Sequence, residues 1–142
     1  MNEPLLRVVY VSHNAITGDD AFLTQQIEHI LQVARQNNRR VGITGALMFN
    51  RGLFAQVLEG PAAAVEETFE RIQCDQRHAE VLLLACDPVH KTSFEQWSMA
   101  YVGEQAEVPP VLLEIASTTG FDAERIDADA VHDAIRTMLS DA

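Results

Sequence analysis

The sequence predicts an α+β domain in which two helices cover one face of a mixed sheet. Three observations predict it: five short apolar runs of strand length, two amphipathic stretches at helical spacing between them, and a short Asn-Arg-Gly connection between the second and third runs.

Taken in order, residues 5–11 form an apolar run with Val8, Val9, Tyr10 and Val11, the pattern of a buried strand. Gly18-Asp19-Asp20 supplies a turn and a helix N-cap, with acids at the positive end of the helix dipole. Leu23, Ile27, Ile30, Leu31 and Ala34 then recur on one helical face. The helix is expected to stop near Asn37-Asn38, because Asn tolerates the left-handed conformation that ends helices. Strands over 43–49 and 53–58 follow, joined by Asn50-Arg51-Gly52. Gly60-Pro61 opens a second helix, buried along Val65, Phe69 and Ile72, with Glu67 and Arg71 as an i,i+4 pair. Residues 81–85 read as a fourth strand and 97–102 as a fifth, with Trp97, Met99 and Tyr101 on alternate positions.

The order β-α-β-β-α-β-β is the ferredoxin-like arrangement with an extra fifth strand. Past Gly103, Pro109-Pro110 breaks the pattern and 111–116 is a possible helix start. Residues 127–139 read as a further helix whose stripe, Ala130, Val131, Ala134, Ile135, Met138 and Leu139, is too apolar to face water. The sheet face opposite the two helices is free to receive it. We therefore expect a domain over 1–103 and an acidic helical extension over 104–142 that packs on it.

A chain of 142 residues suits one core. The net charge of −11 argues against a nucleic-acid or anionic-membrane surface, both of which need clustered Lys and Arg. Residues 104–142 hold nine acids against two bases, so the extension carries −7 of that charge. Met1-Asn2-Glu3-Pro4 carries no basic n-region and no apolar h-region follows, so no signal peptide is expected, and no apolar stretch reaches the roughly 20 residues that span a bilayer. Cys74 and Cys86 form no CxxC pair and are expected to stay reduced, in keeping with a cytoplasmic protein.

Polar residues interrupt the apolar pattern at two places. Gln56 sits between Phe54 and Leu58 on one strand face, and Tyr10 shares a face with Leu6, Val8 and Ser12. An unpaired buried amide costs about 1–3 kcal/mol, so Gln56 needs partners. First and third strands are neighbours in a ferredoxin-like sheet, so Tyr10 and Gln56 are placed to touch, and a hydrogen bond that merely satisfies both is a sufficient account. Asn37 and Asn38 read equally as helix caps, Arg71 and Asp75 as a surface ion pair, and Trp97 and Met99 as core. His78 has no partner at metal-ligand spacing. Ser12 and His13 have no third triad member, and the glycines are too dispersed to cradle phosphate.

Together these positions resemble a known family. Tyr10-Val11-Ser12, Ala34-Arg35-Gln36-Asn37-Asn38 and Gly42-Ile43-Thr44-Gly45-Ala46-Leu47 are similar to the BLUF domain. So are the run from Gly52 through Gln56 to Pro61, then Ile72, Asp75-Gln76-Arg77-His78 and Phe94-Glu95-Gln96-Trp97-Ser98-Met99. The resemblance spans about 100 residues and leaves the extension outside it.

It implies a blue-light sensor with FAD held non-covalently, its ring between the two helices. Ile30 and Ile72 are implied to sandwich the ring. Asn37, Asn38, Arg71, Asp75 and His78 are implied to line it, and Gln56 to bridge it to Tyr10. Trp97 and Met99 are implied to respond to the state of Gln56. The resemblance further implies no turnover and a downstream signalling protein reached by protein contact, with a homo-oligomer possible. Two rival readings stand beside it: a flavin-dependent redox enzyme, and a cofactor-free ferredoxin-like interaction module.

Overall fold

The computed structural model describes residues 4–14, 16–50, 53–75, 78–92, 98–102 and 128–140. Their elements run β1 (Leu5–Asn14), α1 (Asp20–Val41), β2 (Thr44–Asn50), β3 (Leu53–Pro61), α2 (Ala62–Gln73), β4 (His78–Val89), β5 (Ala100–Val102) and α3 (Ala128–Ser140). The strands form one sheet in the order β4-β1-β3-β2-β5, antiparallel except for the β2–β5 pair. This is the ferredoxin-like sheet with an added parallel edge strand.

The two-residue period of the strands sorts the core into two layers. Leu6, Val8, Tyr10, Leu47, Phe54 and Leu58 point to one face, where α1 contributes Ile27 and Leu31 and α2 contributes Val65 and Phe69. Val9, Val11, Ala46, Met48, Ala55 and Val57 point to the other, where α3 sets down Val131, Ala134 and Ile135. No helix among the described residues is long and apolar enough to cross a membrane.

Several boundaries differ from the sequence expectation, each for a local reason. α1 does not stop at Asn37-Asn38 but continues to Val41, because Gly42 takes the left-handed cap at φ 79° and its N–H reaches the Asn38 carbonyl. Both asparagines therefore project from the last turns of a helix. β4 spans His78–Val89 rather than 81–85, since β1 pairs along its whole length and an edge strand tolerates Pro88. Pro61 ends β3, and α2 begins at Ala62. Asp75 lies beyond the α2 C-cap at Cys74, so it is not an i,i+4 helical partner of Arg71.

β5 holds only Ala100–Val102, and Met99 precedes it. The ladder with β2 starts at Ala46↔Ala100, while the Ser98 and Met99 carbonyls are taken by side chains of α1. Trp97, the 111–116 segment and the Arg51-Gly52 connection lie outside the described residues. One strand pair is out of phase: the β1–β4 register shifts between Val9 and Tyr10 and again between Val11 and His13.

The α3 face carries a buried charged group. Glu59 is fully buried, and Arg7 Nε meets its Oε2 at 2.6 Å directly across the β1–β3 ladder. His132 of α3 is buried on the same side. Burial and then the charge of Arg7 lower its pKa below the ordinary 6.5, against opposing pulls from Asp133 and Glu59. Undocked α3 therefore binds a proton more readily than docked α3. Docking is at full strength above the ordinary pKa and weakens as pH falls below it. We expect the Val131–Ile135 amides to lose hydrogen-exchange protection between about pH 7 and pH 5, and His132→Gln to flatten that dependence.

Candidate functional site

A cleft of about 150 Å³ opens between α1 and α2 over the sheet. Ile30, Val33 and Ala34 of α1 form one wall, Thr68 and Ile72 of α2 the other, and Leu47, Gln56, Leu58 and Met99 the floor. The apolar walls follow from helical spacing, as positions 30, 33, 34 and 37 of α1 share one stripe.

Tyr10 and Gln56 are direct cross-strand partners, so their side chains rise on the same face. The Tyr10 hydroxyl donates to Gln56 Oε1, and Gln56 Nε2 lies 3.5 Å from the Met99 Sδ, a weak acceptor. All three residues are buried. The Tyr10 ring also packs tilted against Phe69, with centroids 5.3 Å apart. Burial, reinforced by the charge of Asp75, drives the Tyr10 pKa well above its ordinary value, so the phenol keeps its proton.

The asparagines divide the work at the rim. Asn37 Oδ1 accepts from Arg71 at 3.2 Å and Arg40 at 3.0 Å, and its Nδ2 lies 3.4 Å from Thr68 Oγ1, tying α1 to α2. Asn38 Nδ2 donates to the Ser98 carbonyl at 2.6 Å. Its Oδ1 is buried and has no hydrogen-bond partner among the described residues. A lone buried acceptor costs about 1–3 kcal/mol unless something donates to it.

The cleft thus brings together Ile30, Asn37, Asn38, Gln56, Arg71, Ile72, Asp75 and Met99 of the sequence candidates. His78 starts β4, and its side chain lies outside the described residues; Tyr10 lies beneath the floor, behind Gln56. Thr68, Phe69 and Arg35 were not among the sequence candidates. Thr68 had a signal, a polar residue on the Val65–Phe69–Ile72 stripe. Arg35 had none, because its contact crosses 64 residues of chain. Among the described residues no His, Cys, Asp and Glu group is arranged to hold a metal, and neither exposed cysteine lines the cleft.

A slot between two aliphatic walls, with the Gln56 amide at its floor and a buried acceptor that has no partner among the described residues, has the shape and polarity to take a flat ring with a polar edge. A flavin has that shape, and its edge presents both carbonyl and N–H groups, so these residues fit it. A family model described as BLUF, sensors of blue-light using FAD, matches residues 5–100. The chain belongs to that family of flavin-based blue-light sensors.

Relatives agree. The chain is similar to the photoactivated adenylate cyclase subunit beta of Euglena gracilis, 34% identical over 95 residues, which is 67% of this chain and 11% of the relative. It is similar to the blue light- and temperature-regulated antirepressor BluF of Escherichia coli strain K12, 35% identical over 83 residues, 58% of this chain and 20% of the relative. The chain thus spans only about a tenth to a fifth of these curated relatives. Two solved structures match over nearly their whole length. Photo-activated BlsA superposes with TM-score 0.76 at 30% identity, covering 95% of this chain and 94% of that one. Dark-state BlrB superposes with TM-score 0.76 at 25% identity, covering 98% and 97%.

Proposed function

We propose that this chain is a blue-light photoreceptor that holds FAD non-covalently and reports light through the Tyr10–Gln56–Met99 network to a separate partner protein. The observation that carries this reading is the Gln56 amide, held at the cleft floor between the Tyr10 hydroxyl and the Met99 sulfur. FAD, when bound, supplies the blue-light absorption and an excited state that accepts an electron.

The side chains supply the rest. Ile30 and Ile72 hold the ring between them, and the free Asn38 Oδ1 accepts from its edge. Asn37, Arg71 and Asp75 surround the cleft rim, and His78 is proposed as a further ligand contact on the family resemblance alone. Tyr10 holds a proton and an electron available at the cleft floor. The Gln56 amide is nearly symmetric in shape but opposite in polarity at its two ends. Its reversal or tautomerisation exchanges donor and acceptor toward Tyr10 and the cleft at almost no change in volume.

Residues 1–103 form the sensor and 104–142 an extension, whose described helix α3 sets Val131, Ala134 and Ile135 on the far face of the sheet. Trp97 and Met99, ahead of the short β5, pass the state of Gln56 toward that face. The signal then leaves by protein contact, in a cytoplasmic protein that turns over no substrate. The dinucleotide is favoured by the family's description, although a similar structure, BlrP1, was solved with FMN.

Purified protein reconstituted with FAD is expected to be yellow, to release intact flavin on acid or heat treatment, and to redden reversibly under blue light. A colourless protein in excess FAD would sink the reading. A yellow protein that bleaches with a nicotinamide but never reddens would favour the redox enzyme.

A further inference from the structure

We propose that Arg35 is a positioning residue of the light switch: its hydrogen bond to the Met99 carbonyl holds the Met99 thioether against the Gln56 amide. The inference rests on the photoreceptor reading above and adds to it a residue outside the cleft.

Arg35 and Asn38 stand three residues apart on α1, so they are neighbours on its surface. Each donates to the backbone just ahead of β5, Arg35 Nε to Met99 O at 3.0 Å and Asn38 Nδ2 to Ser98 O at 2.6 Å. Two consecutive carbonyls are thereby fixed to a helix 60 residues away. The segment gains from such a fastening, since among the described residues β5 contributes three residue pairs to the sheet.

Fixing the Met99 peptide also fixes where its side chain starts. That side chain is 2% exposed, and its sulfur lies 3.5 Å from Gln56 Nε2. A thioether is a weak acceptor on a flexible chain, so it holds an amide in place only if its backbone is held. Asn38 cannot separate the two roles, because it lines the cleft itself. Arg35 does not line the cleft; it lies among Leu31, Gln32 and Arg39 on another face of α1. Altering Arg35 therefore separates the clamp from flavin binding.

Two substitutions test it in the FAD-reconstituted full chain. The Gln side chain places its Nε2 where Arg carries Nε, so Arg35→Gln keeps the donor and removes the charge. Arg35→Met keeps the stem and removes the donor. We expect both to bind FAD as wild type does. Arg35→Met should slow thermal return from the reddened state about tenfold, the rate equivalent of one hydrogen bond, because Met99 then seldom returns to the amide. It should also raise dark hydrogen exchange at residues 99–102, while Arg35→Gln keeps both near wild type. In a Met99→Leu background, Arg35→Met should no longer alter the return rate.

Return at the wild-type rate in Arg35→Met, or equal slowing in Arg35→Gln, overturns the clamp while leaving the photoreceptor reading intact. Wild-type protein that binds FAD but never reddens overturns both.

Discussion

Gln56→Leu is expected to leave FAD bound and abolish the reversible red shift. Leu fills the stripe between Phe54 and Leu58, so the cleft floor keeps its shape and gains apolar contact. What disappears is the acceptor for the Tyr10 hydroxyl and the donor toward Met99, and with them the group whose two ends can exchange roles. The stability change should be small, about 1 kcal/mol in either direction, since one buried polar partner is lost and one apolar group gained. Tyr10→Phe should give the same spectral silence for the complementary reason, because the hydroxyl that donates to the amide is gone. Difference spectra before and after illumination decide the matter. A full red shift in either variant would mean the switch lies elsewhere.

The second large effect is on stability and arises on the other face. Arg7→Met leaves the Glu59 carboxylate, fully buried at the β1–β3 ladder, without the guanidinium 2.6 Å away. Removing one member of a fully buried pair typically costs about 3–5 kcal/mol, and the cost is smaller here because the Arg7 side chain is 24% exposed. We expect Arg7→Met to lower the urea midpoint. The double variant Arg7→Met/Glu59→Met should recover most of the loss, because the buried carboxylate is removed as well. A single variant as stable as the double would show that Glu59 is well solvated or paired without Arg7.

Much of this was legible in the sequence, for reasons particular residues make plain. The two-residue period put Gln56 on an apolar stripe, and the sheet order implied by β-α-β-β-α-β put Tyr10 opposite it. Both inferences need only local pattern and topology. The end of α1 was misjudged because two residue types compete for one role: Asn tolerates the left-handed cap, but Gly42 takes it without strain. The start of β5 was misjudged because alternation in Trp97, Met99 and Tyr101 carries no information about distant side chains. Arg35 and Asn38 claim the carbonyls that a longer strand would have used. Arg7 and Glu59 left no local signal, because the pair joins two strands 52 residues apart in the chain.

The out-of-phase β1–β4 ladder has a consequence for assembly. Between Val9 and Tyr10, and again between Val11 and His13, β4 supplies one residue more than β1 uses. Both extra residues fall on the strand at the margin of the sheet, where bulges bend the backbone and sharpen its twist. A chain joining there needs a straight, evenly spaced row of N–H and C=O groups to zip against. β4 offers a row broken twice within twelve residues and lacking a donor at Pro88. β4 is thereby a poor template for strand-to-strand addition by another chain.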